Sequence, residues 1–368
     1  MKLVDGSKIC LVILWSILLC PKVGLAVEVP IYYNHPKLLD CVVGGQCVEV
    51  RSGSIEKISP DGTHSTVVSG LNNPSGIAFD TAGNLYYGNV LEDHNISLFK
   101  RTPDGIVTNL GMVVNRSEYS MFIGEWGFDV AVSPFGDIYY NHPKLLECVV
   151  GGQCVEVRSG SIEKISPDGT HSTVVSGLNN PSGIALDTAG NLYYGNVLED
   201  HNISLFKRTP DGTVMSLGMV VDRSEYTMRI GEWGFDVAVS QSGDVYYNHP
   251  KLLKCIVGGQ CVEVRLGSIE KISPDGTYST VVSGLNYPSG IALDTAGNLY
   301  YGNEEENYCI SLFKRTPDGM VTNLGTAVDR TGYYMTIGEW GFDVAVPEPS
   351  TLFLLGLGTM ALLKRRRA

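Results

Sequence analysis

The sequence predicts an all-β chain folded as a six-bladed β-propeller, and three observations predict it. The first is a 107-residue repeat: Tyr33-Asn34-His35-Pro36 returns at Tyr140 and again at Tyr247. Between 34–106 and 141–213 only Asp40/Glu147, Phe79/Leu186 and Ile106/Thr213 differ. A fixed period of this kind defines an architecture. The second is that each unit is itself double. Pro-Asp-Gly begins at Pro60, Pro103, Pro167, Pro210, Pro274 and Pro317, in steps of 43 and 64 residues. The third is the chain between these turns. It consists of short stretches rich in β-branched and aromatic residues, bounded by Gly, Pro, Asn and Asp, which read as strands. Four antiparallel strands occurring six times make a six-bladed ring built from three near-identical double-blade repeats.

The elements follow in order within a unit. Ser54–Ile58 precedes the first Pro-Asp-Gly turn, and Thr66–Val68 follows it. Proline presets φ in such a turn, aspartate accepts a local hydrogen bond, and glycine follows freely. Gly76–Phe79 comes next, then the turn Thr81-Ala-Gly-Asn84, then Leu85–Tyr87. Ile96–Lys100 and Val107–Leu110 flank the second Pro-Asp-Gly. Along Tyr32-Tyr33 and Tyr86-Tyr87, alternation places half of the rings in the core. Asp80, Asp187 and Asp294 are read as supports of the turns that follow them. The third unit stops at Gly341-Phe-Asp-Val-Ala-Val346, and the strand it lacks has its match in Val29-Pro-Ile-Tyr-Tyr33. The last blade should therefore take its inner strand from the C-terminal side and the rest from about residues 27–70. That closes the ring and removes open sheet edges.

The expected domains are a signal peptide at 1–26, a propeller at 27–346 with units at about 32–138, 139–245 and 246–346, and a tail at 347–368. Lys2 and Lys8 precede the apolar run Ile9–Leu19, and Gly24-Leu25-Ala26 forms a small-x-small cleavage site; this is the pattern of a secretory signal. The whole chain carries a net charge of −12. Without the two ends, 20 basic residues face 37 acidic ones, a balance of −17. So acidic a body excludes nucleic acid as a partner, because that binding rests on Lys and Arg at phosphates.

Six of the nine cysteines form pairs: Cys41/Cys47, Cys148/Cys154 and Cys255/Cys261. Each pair brackets a Gly-Gly tip, so the two cysteines should face each other across a hairpin. Disulfides, free thiols and a metal site are all compatible with this spacing. Export favours disulfides, and the lack of a neighbouring histidine set disfavours zinc. The hairpins fall between second and third strands of alternate blades and should decorate one face as three fingers. Cys309 replaces Asn95 and Asn202 and is expected at the surface. Glu304-Glu-Glu306 is expected to be a solvated acidic loop.

Every histidine lies in a repeat, so no asymmetric catalytic constellation assembles. No catalytic residue, metal site or cofactor is predicted. The surface candidates are Glu125-Trp126, Glu232-Trp233 and Glu339-Trp340, each expected at the start of an innermost strand near one mouth of the channel. Tryptophan beside a carboxylate can stack on a sugar ring and accept its hydroxyl hydrogen bonds. The same tryptophans could instead pack between blades as core.

Two resemblances complete the reading. Pro74-Ser-Gly-Ile-Ala-Phe-Asp-Thr-Ala-Gly-Asn-Leu-Tyr-Tyr87 and Ile96-Ser-Leu-Phe99 resemble the NHL-type propeller repeat, again at Pro181 and Pro288. Propellers of this kind include gluconolactonase-like and streptogramin-lyase-like enzymes with a channel metal, which is the rival function. Pro347-Glu348-Pro349, the apolar run Leu352–Leu363 and Lys364-Arg-Arg-Arg367 closely resemble the PEP-CTERM sorting signal. The apolar run is short for a spanning helix of about 20 residues, but the basic end would hold the cytoplasmic side. The resemblance implies an exosortase-type processing enzyme, transient membrane insertion through the tail, and an inner-membrane intermediate. The destination it implies is the cell surface or extracellular matrix of a Gram-negative bacterium, in exopolysaccharide and biofilm systems. Together these features predict a non-enzymatic binding or structural protein, with exopolysaccharide as the candidate ligand.

Overall fold

The computed structural model describes residues 29–41, 47–91, 95–115, 128–148, 154–198, 202–222, 235–250, 252–255, 261–305, 309–329 and 342–347. They form six four-stranded antiparallel sheets and three two-stranded ones, with no helix among the described residues. Counting strands from the axis outward, blade I is Val344–Ala345, Ile31–His35, Gly53–Ile58 and His64–Leu71. Blade II is Asn73–Phe79, Leu85–Val90, Ile96–Arg101 and Val107–Val114. Blades III and V repeat the pattern of blade I from Val130–Val132 and Val237–Val239, and blades IV and VI repeat blade II from Asn180–Leu186 and Tyr287–Leu293.

The ring closes as the ends of the repeat require. Tyr32 pairs with Ala345 and Tyr33 with Val344, so one blade joins the two ends of the body. Ile31, Tyr33 and Ile58 then share a core with Tyr300, Leu312, Val328 and Phe342.

Each Pro-Asp-Gly turn is closed by a backbone bond, such as Gly62 N to Ser59 O at 2.8 Å, and Asp61 Oδ1 accepts Thr63 N at 2.9 Å. Asp80 supports its turn through Ala82 N and Asn84 N (both 2.9 Å), Asn84 Nδ2 (2.7 Å) and Tyr86 OH (3.1 Å). Asp187 and Asp294 do the same.

The six hydrophobic cores lie between blades, because each sheet packs on both of its faces. Leu98, Val114, Phe128 and Tyr140 fill the space between blades II and III. Ile55, Ile77, Leu85 and Tyr87 fill that between blades I and II. This corrects the expectation for Tyr86-Tyr87 and its copies, whereas at Tyr32-Tyr33 one ring is buried and the other half-buried. Tyr86 and Tyr87 point to opposite faces, yet both are buried, one in each inter-blade core. Gly88 makes room for this packing: a Cβ there would sit 2.5 Å from the Phe128 ring.

Two further expectations are corrected. Cys309 is buried, and its thiol donates to Asp329 Oδ1 at 3.4 Å. The position adjoins the strand Ile310–Arg315 and shares that strand's burial; Asn95 and Asn202 are buried in the same place. Glu304 is buried as well, since the strand Leu299–Glu304 extends through it and pairs it with Tyr287 and Ile310. Glu305 is exposed as expected and accepts Ser311 Oγ at 2.5 Å, and Glu306 lies outside the described residues.

Candidate functional site

Three aspartates surround the axis. Asp129, Asp236 and Asp343 stand just ahead of the innermost strands of blades III, V and I. Each reaches the next blade. Asp343 Oδ2 accepts Ile77 N, Asp129 Oδ2 accepts Ile184 N, and Asp236 Oδ2 accepts Ile291 N, all at 2.6 Å. The other oxygen of each accepts the following backbone N–H at 2.7 Å, from Val344, Val130 and Val237.

Local sequence makes the reach possible. Gly76 is the extra residue of a β-bulge between Ser75 and Ile77 and has φ +63°. Glycine takes that conformation without steric cost. A Cβ there would lie 2.8 Å from the Asp129 backbone, so this glycine also admits the neighbouring inner strand. On the same side, Ser75 Oγ donates to Phe128 O at 2.7 Å and Ser182 Oγ to Phe235 O at 2.9 Å. Asn34, Asn141 and Asn248 complete the clasp. Each accepts the aspartate N–H at 2.6 Å and donates to Pro74, Pro181 or Pro288 O at 2.8 Å. The inner strands are thus laced blade to blade around the axis.

Burial disfavours charge on these carboxyls, and their mutual repulsion adds to it. Asp129 is held well above the usual carboxylate range, first by burial and then by Asp236. Asp343 is raised by burial and by both other aspartates. Burial pushes Asp236 up to about 6. The backbone N–H donors oppose these shifts without cancelling them. The three titrate as one cluster. All six oxygens accept backbone hydrogen bonds, so the cluster holds the scaffold together. Among the described residues no group of three or more His, Cys, Asp or Glu side chains is placed to hold a metal ion.

A second network repeats at the base of each finger. His35 Nδ1 donates to Pro36 O at 2.8 Å, so its Nε2 is free to accept from Arg51 at 2.9 Å. Arginine has no acceptor atom, so the ring is neutral. Arg51 also pairs with the buried Glu56 at 2.8 Å, and Ser54 Oγ (2.6 Å) and Thr66 Oγ1 (3.0 Å) donate to the same carboxylate. His142–Arg158–Glu163 and His249–Arg265–Glu270 are equivalent. These three histidines therefore hold fingers to blades.

The fingers are Leu38–Cys41 with Cys47–Arg51, Leu145–Cys148 with Cys154–Arg158, and Leu252–Cys255 with Cys261–Arg265. They lie between second and third strands, as the repeat predicts. Cys41 is registered opposite Cys47, Cys148 opposite Cys154, and Cys255 opposite Cys261. Glu125, Trp126, Glu232, Trp233, Glu339 and Trp340 lie outside the described residues, as do Glu348 and Pro349; Pro347 is the last described residue. The axial aspartates and the His–Arg–Glu clamps were not singled out in the sequence. The signal for the aspartates was the invariant Phe-Asp-Val-Ala-Val at all three inner strands.

No curated protein matches the chain. Among solved structures it is similar to a gluconolactonase from Xanthomonas campestris, at 15% identity and TM-score 0.45, covering 76% of this chain and 89% of that one. It is also similar to the PQQ-bound aldose sugar dehydrogenase of Streptomyces coelicolor, at 17% identity and TM-score 0.45, covering 78% and 87%. No residue role is transferred from either. No helix among the described residues is long and apolar enough to cross a membrane. Residues 345–367 match the PEP-CTERM protein-sorting motif, and a tail of that kind marks an exported protein handled by an exosortase-type enzyme. The chain is therefore a six-bladed β-propeller carrying a PEP-CTERM sorting tail.

Proposed function

We propose that this propeller is a non-enzymatic binding body that reaches the cell surface or extracellular matrix of a Gram-negative bacterium. Residues 1–26 start its export, and the tail completes its sorting. The ligand class is a repeating polymer, with exopolysaccharide as the first candidate. One observation carries the proposal: the axial aspartate network recurs three times in equivalent frames. Whatever blades I, III and V present is presented in triplicate on one rigid ring. Three weak sites on one body gain by avidity when the ligand repeats. A lactonase or lyase needs one asymmetric set of groups, whereas the three repeated histidines of the His–Arg–Glu clamps have both ring nitrogens committed to scaffold bonds.

Glu125-Trp126, Glu232-Trp233 and Glu339-Trp340 are the proposed contacts. Each pair precedes an axial Phe-Asp by a single glycine in the chain. The test is co-sedimentation of the exported protein with exopolysaccharide from the producing cells, beside the triple Trp→Ala variant. Binding by the parent and loss in the variant support the proposal. A folded parent that leaves the polymer in solution overturns it.

A further inference from the structure

We infer that each finger is closed by its own disulfide, Cys41–Cys47, Cys148–Cys154 and Cys255–Cys261, giving three oxidised hairpins on one propeller. The inference rests on export and is independent of the glycan proposal. In all three copies the cysteines are direct partners in an antiparallel ladder, at the last paired position before the tip. Directly opposed residues of such a ladder have Cα atoms about 4.5–5.5 Å apart. A disulfide accepts Cα separations of roughly 4.4–6.8 Å. The backbone thus presents each pair within range without rearrangement.

The fold also supplies a reason for the bond. Among the described residues each finger is a separate two-stranded sheet, joined to no blade by a strand ladder. An isolated two-stranded hairpin is marginal in water. The His35–Arg51–Glu56 clamp fixes the base of the first finger to its blade. The ion pair Lys37–Glu49 is exposed on one side and adds little. At the far end the last paired position of the ladder is the cysteine pair. The ladder is irregular between Leu38 and Leu39, so the register fixed at the base is not carried unbroken to the cysteine pair.

The chemistry balances as thiol–disulfide exchange. Two cysteine thiols lose two protons and two electrons as one S–S bond forms. The disulfide of an exported thiol oxidoreductase takes up the electrons and becomes a dithiol. Such oxidants act in the compartment that an exported chain enters.

The test uses the full chain produced with its own export signal and recovered from the exported fraction. The protein is denatured without reductant, blocked with N-ethylmaleimide and digested with trypsin. Each pair falls within one peptide, at 38–51, 145–158 and 255–265, because no Lys or Arg lies between its two cysteines. The expected result is three unlabelled peptides, each lighter by two hydrogens, that accept two labels only after reduction. Cys309 should be labelled without reduction. Labelling of both cysteines of any finger before reduction would overturn the inference. So would a peptide joining two different fingers or two molecules, or thiols that become reactive only when zinc is chelated.

Discussion

Acidification should stabilise this protein relative to a variant lacking one axial carboxyl, and Asp236→Asn is the variant to use. In the folded ring Asp236 is pushed up to about 6 by burial, against about 3.9 in an unfolded chain. The sign follows from linkage. The folded state binds the proton more tightly, so the contribution is greatest below the unfolded value and is lost as pH rises through the folded one. Between pH 7.5 and pH 5 the gain from Asp236 itself is on the order of 1 kcal/mol, and loss of its charge in the variant also relieves Asp129 and Asp343, which widens the difference in the same direction. Unfolding a body of this length carries an entropy of about 0.7 kcal/mol per degree, so that gain is roughly 1–2 °C in Tm. Asparagine keeps one acceptor where aspartate uses two, for Ile291 N and Val237 N. The variant should thus start about 1–2 kcal/mol lower at pH 5 and draw level towards pH 7.5. Scanning calorimetry of both proteins over that range checks this. Parallel Tm curves, or a parent that gains no more than the variant on acidification, would refute the account of the channel.

Three other outcomes follow from the packing. Gly88→Ala should cost about 1–3 kcal/mol in urea unfolding, as overpacking does, because its Cβ would meet the Phe128 ring at 2.5 Å. Arg51→Ala should cost about 1–3 kcal/mol by the same assay, since it leaves the buried Glu56 short of a partner, whereas Lys37→Ala at the exposed pair should stay within about 0.5 kcal/mol. A chain ending at residue 341 should fail to fold as a monomer in size-exclusion chromatography, because it lacks the strand Val344–Ala345 that pairs with Tyr32 and Tyr33. A chain ending at 347 should elute as a folded ring.

The fold was legible because period and turn chemistry agree. Pro-Asp-Gly gave the hairpins, and the truncated third unit gave the closing strand. Facing cysteines followed from counting residues across a Gly-Gly tip. Burial was less legible. Alternation along Tyr86-Tyr87 assigns one ring to solvent, but a propeller blade has two buried faces and claims both. Glu304 and Cys309 were misplaced for a related reason: strand ladders run further than β-branched composition suggests. The axial aspartates were hidden because a single Asp in a strand pattern looks like a boundary. Its partner, the Ile184 N–H, is freed by a glycine bulge 54 residues away in the chain.

If three equivalent binding sites share one ring, removing them one at a time should lower affinity in equal steps. Affinity for exopolysaccharide would be measured by surface plasmon resonance for the parent and for variants with one, two and three of Trp126, Trp233 and Trp340 changed to alanine. The account predicts that each single variant weakens binding equally, whichever tryptophan is removed, and that each further removal lowers affinity by about tenfold or more as avidity is lost. Unequal single variants, with one tryptophan carrying all of the affinity, would contradict it.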